Sequence, residues 1–98
     1  MNIDKKLEGT TLTVALEGRL DTTTSPELED VLAASLDGVD ALVFDFAKLD
    51  YLSSAGLRVL LSAQKRMNKQ GSMKLVHVND AVKEVFDITG FADFLTVE

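Results

Sequence analysis

Hydrophobic and polar residues alternate along the chain from Thr11 to Leu16. A period of two is typical of a half-buried β-strand. Residues 8–10 carry the glycine and threonine of a hairpin turn, which predicts a partner strand near residues 2–7. The chain is therefore expected to open with an antiparallel hairpin.

A first helix is predicted after this hairpin and a polar loop, with its hydrophobic residues recurring every three or four positions until Gly38. Two helix starts fit the sequence. Thr24 and Glu27 have the spacing of a capping box, whereas Ser25 before Pro26 fits a cap followed by proline in the first turn.

Two more strands and two more helices follow. Residues 41–46 are nearly all apolar, as in a central parallel strand, and residues 73–78 form a similar run. A second helix is predicted from about 53 to 68. Asn79 or Asp80 is expected to cap a third helix, which ends at Gly90, where a C-terminal cap belongs, and a short last strand follows at 94–97. Strands that alternate with helices predict an α/β fold with a mixed β-sheet, whose parallel strands are joined by right-handed crossovers.

Functional residues of such sheets gather where the parallel strands end. The loops predicted at that edge are Leu20–Ser25, Ala47–Ser54 and His77–Asp80. The hydrophobic residues expected to be largely buried in this fold are Leu42, Val43, Phe44, Leu57, Leu60, Leu61, Leu75, Val76, Val85 and Phe86.

Composition narrows the class of protein. With 98 residues, 46% of them hydrophobic, the chain is expected to form a single domain over residues 1–98. The net charge of −6 argues against direct contact with nucleic acid or an anionic membrane surface. Cysteine is absent, and no signal peptide or apolar run of about 18 residues is visible, so we expect a cytoplasmic protein with no membrane association.

Signatures of catalysis are missing. His77 is the only histidine, no G-x-S-x-G elbow accompanies the serines, and no phosphate-binding glycine motif is present. Asp21, Asp45 and Asp50 fit turn formers or solvated charges better than a magnesium site. The sequence therefore predicts a protein that is not an enzyme and has no catalytic residue, metal or cofactor.

The serine pair Ser53-Ser54 leads into the second helix. Serine is a favoured N-cap, so one of the two has a purely structural explanation. A phosphoserine at this position would carry about −1.5 to −2 charges beside free N–H groups and the positive end of the helix dipole. The position therefore also suits a switch that changes surface charge without unfolding the domain.

Four segments together resemble the STAS family, in particular the bacterial anti-sigma factor antagonists. They are Gly18–Asp21 with the threonines that follow, Leu42–Phe46, Ser53–Leu57 and Val82–Gly90. The resemblance covers nearly the whole chain. It implies a STAS-like mixed sheet with an N-terminal antiparallel hairpin strand and about three to four helices packed mainly on one face.

The resemblance also implies a function, that of an anti-sigma factor antagonist in transcription regulation by partner switching. The unphosphorylated antagonist binds an anti-sigma factor serine kinase and frees the sigma factor. Phosphorylation by that kinase releases the antagonist, and a PP2C-type phosphatase restores it. ATP belongs to the kinase, so the antagonist itself needs no cofactor.

Family members typically read Asp-Ser-Ser-Gly-Leu at the phosphorylation site. Alignment on Gly56-Leu57 places the phosphorylated serine at Ser54, with Ser53 at the family's aspartate and Ala55 at its second serine. Ser53 is thus a competing acceptor. The residues expected to contact the partner are Asp21, Thr22, Thr23, Thr24, Asp45, Ser53, Ala55, Gly56 and Arg58.

A second interpretation is a constitutive STAS interaction module in a stress-signalling or lipid-transport complex. It needs the same fold and no phosphorylation. A kinase among the binding partners would favour the antagonist over this second interpretation.

Overall fold

Strands and helices alternate in the computed structural model of the chain, which describes residues 1–98. A single 3-10 turn at Phe91–Asp93 follows the last helix. The elements are β1 (Asn2–Glu8), β2 (Thr11–Leu20), α1 (Ser25–Ser35), β3 (Ala41–Leu52), α2 (Ser54–Gln70), β4 (Ser72–Val76) and α3 (Asp80–Thr89).

The four strands form one mixed sheet in the order β1-β2-β3-β4. β1 pairs antiparallel with β2 across a turn in which Gly9 has a φ of 63°, whereas β2–β3 and β3–β4 are parallel. The predicted hairpin and mixed sheet are therefore confirmed. The predicted last strand at 94–97 is reduced to a single parallel bridge between Val97 and Leu75.

Helices cover only one face of the sheet. In residues 11–16 of β2, 41–46 of β3 and 73–76 of β4, buried residues on that face alternate with half-buried residues on the other. Four of the residues predicted to be largely buried are only half-buried, so the prediction was wrong for them. Val43 and Val76 lie on the uncovered face, and Leu61 and Val85 pack against the edge of the core. The prediction was correct for the remaining six: Leu42, Phe44, Leu57, Leu60, Leu75 and Phe86.

β3 is twice as long as the apolar run from which it was predicted. The segment from Ala47 onward, expected to be a loop, continues the strand as far as Leu52. Extra residues in β3 shift its register against β2 at two places, so that inward residues are spaced by three rather than two: Phe46, Leu49 and Leu52. The bulges keep these three in the core and leave polar residues between them exposed.

The N-terminal caps predicted for α1 and α3 have different outcomes. The capping box of Thr24 and Glu27 does not form: Thr24 precedes α1 without a side-chain cap, and Pro26 stands in the first turn. At α3, the Asn79 side chain accepts a hydrogen bond from the Val82 N–H at 2.9 Å, as a good N-cap does.

Candidate functional site

Parallel pairing of β2 and β3 brings two separate segments together at the carboxyl edge of the sheet. Leu20 and Leu52 are opposite each other as the two strands end. The Ser53 N–H then donates to the Leu20 carbonyl at 2.9 Å, which fixes the start of α2 against the loop at 21–24. The loop at 21–24 and the start of α2, both predicted at this edge of the sheet, are therefore neighbours.

The two serines at this junction have different environments. Ser53 is the N-cap of α2: its backbone is extended, and its hydroxyl accepts from the Gly56 N–H at 3.3 Å. Ser54 is the first residue of the helix; its side chain is exposed, and its hydroxyl has no hydrogen-bond partner in the chain. One serine therefore holds the helix start, while the other is free.

Backbone donors remain available around Ser54. The first hydrogen bond within α2 runs from the Leu57 N–H to the Ser53 carbonyl, so the N–H groups of Ser54 and Ala55 have no carbonyl partner in the helix. The first turn of α2 contains no acidic residue, and the exposed Arg58 lies one turn further on. The positive end of the α2 dipole and Arg58 are therefore not offset by an acidic residue within the first turn of the helix.

Gly56 permits the close approach of α2 to the sheet. A Cβ atom at this position would lie 2.7 Å from the Cγ of Leu20 and 2.8 Å from a Cδ of Leu52. Gly56 is itself buried. It was expected to contact the partner, but the structure gives it a packing role that sets the position of its neighbour Ser54.

The loop at 21–24 is organised by Asp21. Its carboxylate accepts from the backbone N–H groups of Thr23 and Thr24 at 3.0 and 3.1 Å and from the Thr24 hydroxyl at 3.2 Å. These bonds, the Thr24 N–H first, together with the nearby Arg19, lower the pKa of Asp21 below its ordinary value. The side chain is only partly exposed, so Asp21 has a structural role in addition to any contact with a partner.

A groove of about 240 Å³ joins the loop to the helices. Thr22 lies on its loop side, and Ala55 and Arg58 lie on its α2 side, so three predicted contact residues share one surface. The other residues of the groove come from the facing sides of α1 and α2: Ser25, Pro26, Glu29, Val59 and Ser62.

These observations agree with comparisons to known proteins. Residues 2–98 match the family model of the STAS domain. The chain belongs to the STAS family. BtrV of Bordetella bronchiseptica, which is named as an anti-sigma factor antagonist, is 39% identical to this chain over 94% of the chain and 80% of BtrV. The anti-sigma-B factor antagonist of Staphylococcus aureus is 29% identical over 99% of this chain and 92% of that protein.

Solved structures show the same fold. The anti-sigma factor antagonist SpoIIAA in its unphosphorylated form has a TM-score of 0.85 at 17% identity, covering 99% of this STAS chain and 88% of SpoIIAA. The phosphorylated form of Bacillus SpoIIAA has a TM-score of 0.77 at 16% identity, covering 99% and 91%. At these identities the likeness establishes the STAS fold alone.

Asp45 lies apart from the other candidate residues of this STAS domain. It is on the uncovered face of β3, seven positions before Leu52, which corresponds to roughly 20 Å of strand. Its carboxylate contacts His77 Nδ1 at 2.9 Å and accepts from the Ala47 N–H at 3.0 Å. The contact with His77 is the main reason why the pKa of Asp45 is lowered. Asp45 therefore does not share a surface with Ser54.

Sequence reasoning missed Arg19 and Tyr51. They are opposite each other near the ends of β2 and β3, with the Arg19 guanidinium 4.2 Å from the centre of the Tyr51 ring. Arg19 Nε also lies 3.7 Å from the Asp21 carboxylate. This register was invisible in the sequence because the end of β3 was expected to be a loop.

The helices of this STAS domain are all too short or too polar to cross a membrane.

Proposed function

We propose that this STAS domain is an anti-sigma factor antagonist that acts by partner switching in the cytoplasm. Its unphosphorylated form binds an anti-sigma factor that is also a serine kinase, and the sigma factor is freed. Phosphorylation of Ser54 ends the binding, and a PP2C-type phosphatase restores it. The names of BtrV and of the Staphylococcus aureus relative support the class of regulator, which acts by binding and is not an enzyme.

One observation carries the choice of Ser54. Its hydroxyl is exposed and free of hydrogen bonds, whereas the hydroxyl of Ser53 is engaged as the N-cap of α2. A kinase needs an accessible hydroxyl. Ser53 is also only partly exposed, and its hydroxyl oxygen already accepts from the Gly56 N–H. Ser54 is therefore the better acceptor.

The surroundings of Ser54 suit a phosphate in the folded protein. The added charge of about −1.5 to −2 meets the free N–H groups of Ser54 and Ala55 and the positive end of the α2 dipole. Arg58, four positions on, lies on the same side of the helix and adds a positive charge. The modified domain is expected to stay folded.

The same phosphate is expected to end binding. A partner surface shaped for a neutral serine would have to accommodate a dianion, and burial of an unpaired charge costs several kcal/mol. Because about 1.4 kcal/mol corresponds to a factor of ten in affinity, binding would weaken by orders of magnitude. The contact surface includes the exposed part of the 21–24 loop and the groove at Ala55 and Arg58.

The test is kinase-dependent phosphate incorporation. The cognate kinase is isolated by affinity capture with the unphosphorylated domain and identified by mass spectrometry. It is then incubated with the wild type, Ser54→Ala and Ser53→Ala, after circular dichroism has confirmed that each is folded.

We expect labelling of the wild type and Ser53→Ala and none of Ser54→Ala. Full labelling of Ser54→Ala with none of Ser53→Ala would move the site to Ser53. A wild-type domain that its partner does not label would contradict partner switching and leave a constitutive module in a stress-signalling or lipid-transport complex.

A further inference from the structure

Two large hydrophobic side chains are exposed where α3 ends. Ile88 on α3 is 76% exposed, and Phe94, just after the 3-10 turn, is 66% exposed. The 3-10 turn packs against α3, and the rings of Phe91 and Phe94 meet edge to face with centroids 6.5 Å apart. We call Ile88, Phe91 and Phe94 the α3 patch. The three residues lie within seven positions of one another along the chain, and clustered exposed apolar side chains, unlike isolated ones, mark interaction sites.

The other large exposed hydrophobic side chains have local explanations. Leu7 stands alone on the edge strand β1 between Lys6 and Glu8, which form an ion pair at 3.2 Å. Tyr51 is covered by the Arg19 guanidinium. The α3 patch has no such cover within the chain.

Negative charge surrounds the α3 patch. Residues 80–94 contain four carboxylates and one lysine, so this segment contributes −3 of the net charge of −6. Glu84, Asp87 and Asp93 are exposed, and none of them forms an ion pair within the chain. This charge repels a second copy of the chain, a nucleic acid and an anionic membrane, and it attracts a basic surface.

The α3 patch lies away from Ser54. Ser54 follows the carboxyl end of β3, and α3 begins beyond the carboxyl end of the neighbouring parallel strand β4. Val97 then pairs parallel to Leu75, so α3 and the residues after it must carry the chain back toward the amino ends of the parallel strands. α3 has ten residues and is about 15 Å long, so the α3 patch at its far end lies about that far from the helix start. This length exceeds the Debye length of about 8–10 Å, so we expect a phosphate on Ser54 to have little electrostatic effect on the α3 patch.

We infer that the α3 patch is a second docking surface, which takes a protein segment carrying hydrophobic side chains flanked by lysine or arginine. The apolar side chains of that segment cover Ile88 and Phe94, and its cations pair with Glu84, Asp87 and Asp93. Docking there is independent of the phosphorylation state of Ser54, so one partner stays attached while the other surface switches.

The test uses a fluorescent amphipathic peptide of leucine and lysine as the probe and a peptide with glutamate in place of lysine as its control. Binding is measured by anisotropy with the full chain, and the site is mapped by NMR chemical shifts. Ile88→Ser with Phe94→Ser removes the apolar contact, and Asp87→Asn removes charge without changing shape. Leu7→Ser is the matched control, because it removes a hydrophobic side chain of comparable exposure elsewhere on the surface.

We expect shifts concentrated at residues 84–94, at least about tenfold weaker binding for the double serine variant, and weaker binding for Asp87→Asn. Leu7→Ser and Ser54→Asp should bind the probe like the wild type. Equal loss in Leu7→Ser, equal binding of the glutamate peptide or shifts centred elsewhere would overturn the inference. So would a wild-type dimer in sedimentation that Ile88→Ser dissociates, because the occupant would then be a second copy.

Discussion

Substitution of Gly56 by alanine tests whether close packing beneath α2 sets the position of the candidate site. The new methyl carbon would lie 2.7, 3.0 and 2.8 Å from side-chain atoms of Leu20 and Leu52, where carbon atoms prefer about 3.5–4.0 Å. Leu20 is 0% exposed and Leu52 3% exposed, so neither can turn toward solvent. The helix start must therefore move away from the sheet.

Two effects of opposite sign decide the magnitude for Gly56→Ala. Alanine favours a helix over glycine by up to about 1 kcal/mol. Overpacking of a closely packed core costs about 1–3 kcal/mol. Because the contacts involve two buried side chains, we expect overpacking to win and the free energy of unfolding to fall by about 1–2 kcal/mol.

Urea denaturation followed by circular dichroism measures this loss, which corresponds to a midpoint lower by about 1 M for a domain of this size. Ser62→Ala, on the exposed surface of the same helix, is the control and should change stability by less than about 0.5 kcal/mol. In a Leu20→Ala background Gly56→Ala should cost less, since the methyl group enters vacated space. A Gly56→Ala protein as stable as the wild type would refute the reasoning.

Three further predictions concern the loop, the uncovered face and the core. Asp21→Ala should lower the melting temperature, because it leaves two backbone N–H donors without their acceptor. Asp21→Asn should keep the fold and still weaken kinase binding. A melting temperature of Asp21→Ala equal to that of the wild type would show that the carboxylate does not organise the loop. The pKa of Asp45 is lowered below its ordinary value of 3.8, so its ionised carboxylate stabilises the folded state at higher pH, and the melting temperature should fall as the pH drops from about 5 to 2. Thermal melts at several pH values should show a smaller fall for Asp45→Asn, and identical slopes for the two proteins would contradict this. Phe86→Ala should lower the free energy of unfolding by about 3–5 kcal/mol in urea, because Phe86 is 1% exposed; a loss below about 1 kcal/mol would contradict its place in the core.

The sequence predicted the elements better than their ends. Alternation in β2 and the cap and glycine signals of α3 are local, and both were confirmed. The second half of β3 was missed because its bulges space Phe46, Leu49 and Leu52 by three, a pattern that no strand period predicts. The apolar run at 41–46 also concealed the uncovered face, because valine occupies a half-exposed position there.

The candidate site was predictable where it depended on topology and not where it depended on detailed packing. Parallel strands ending together bring the 21–24 loop to the start of α2, as expected. The preference of serine for N-caps does not say which serine caps, and the structure assigns that role to Ser53. Neither the tight contact beneath Gly56 nor the distance of Asp45 from Ser54 is visible without the register of β3.

Affinity of the cognate kinase for the two states of Ser54 tests the switch most directly. The wild type is phosphorylated to completion, and its dissociation constant is compared with that of the unphosphorylated protein and of Ser54→Ala by titration calorimetry. We expect Ser54→Ala to bind like the unphosphorylated protein and the phosphorylated protein to bind at least about a hundredfold more weakly while melting at a similar temperature. Equal affinities for the phosphorylated and unphosphorylated proteins would contradict the switch.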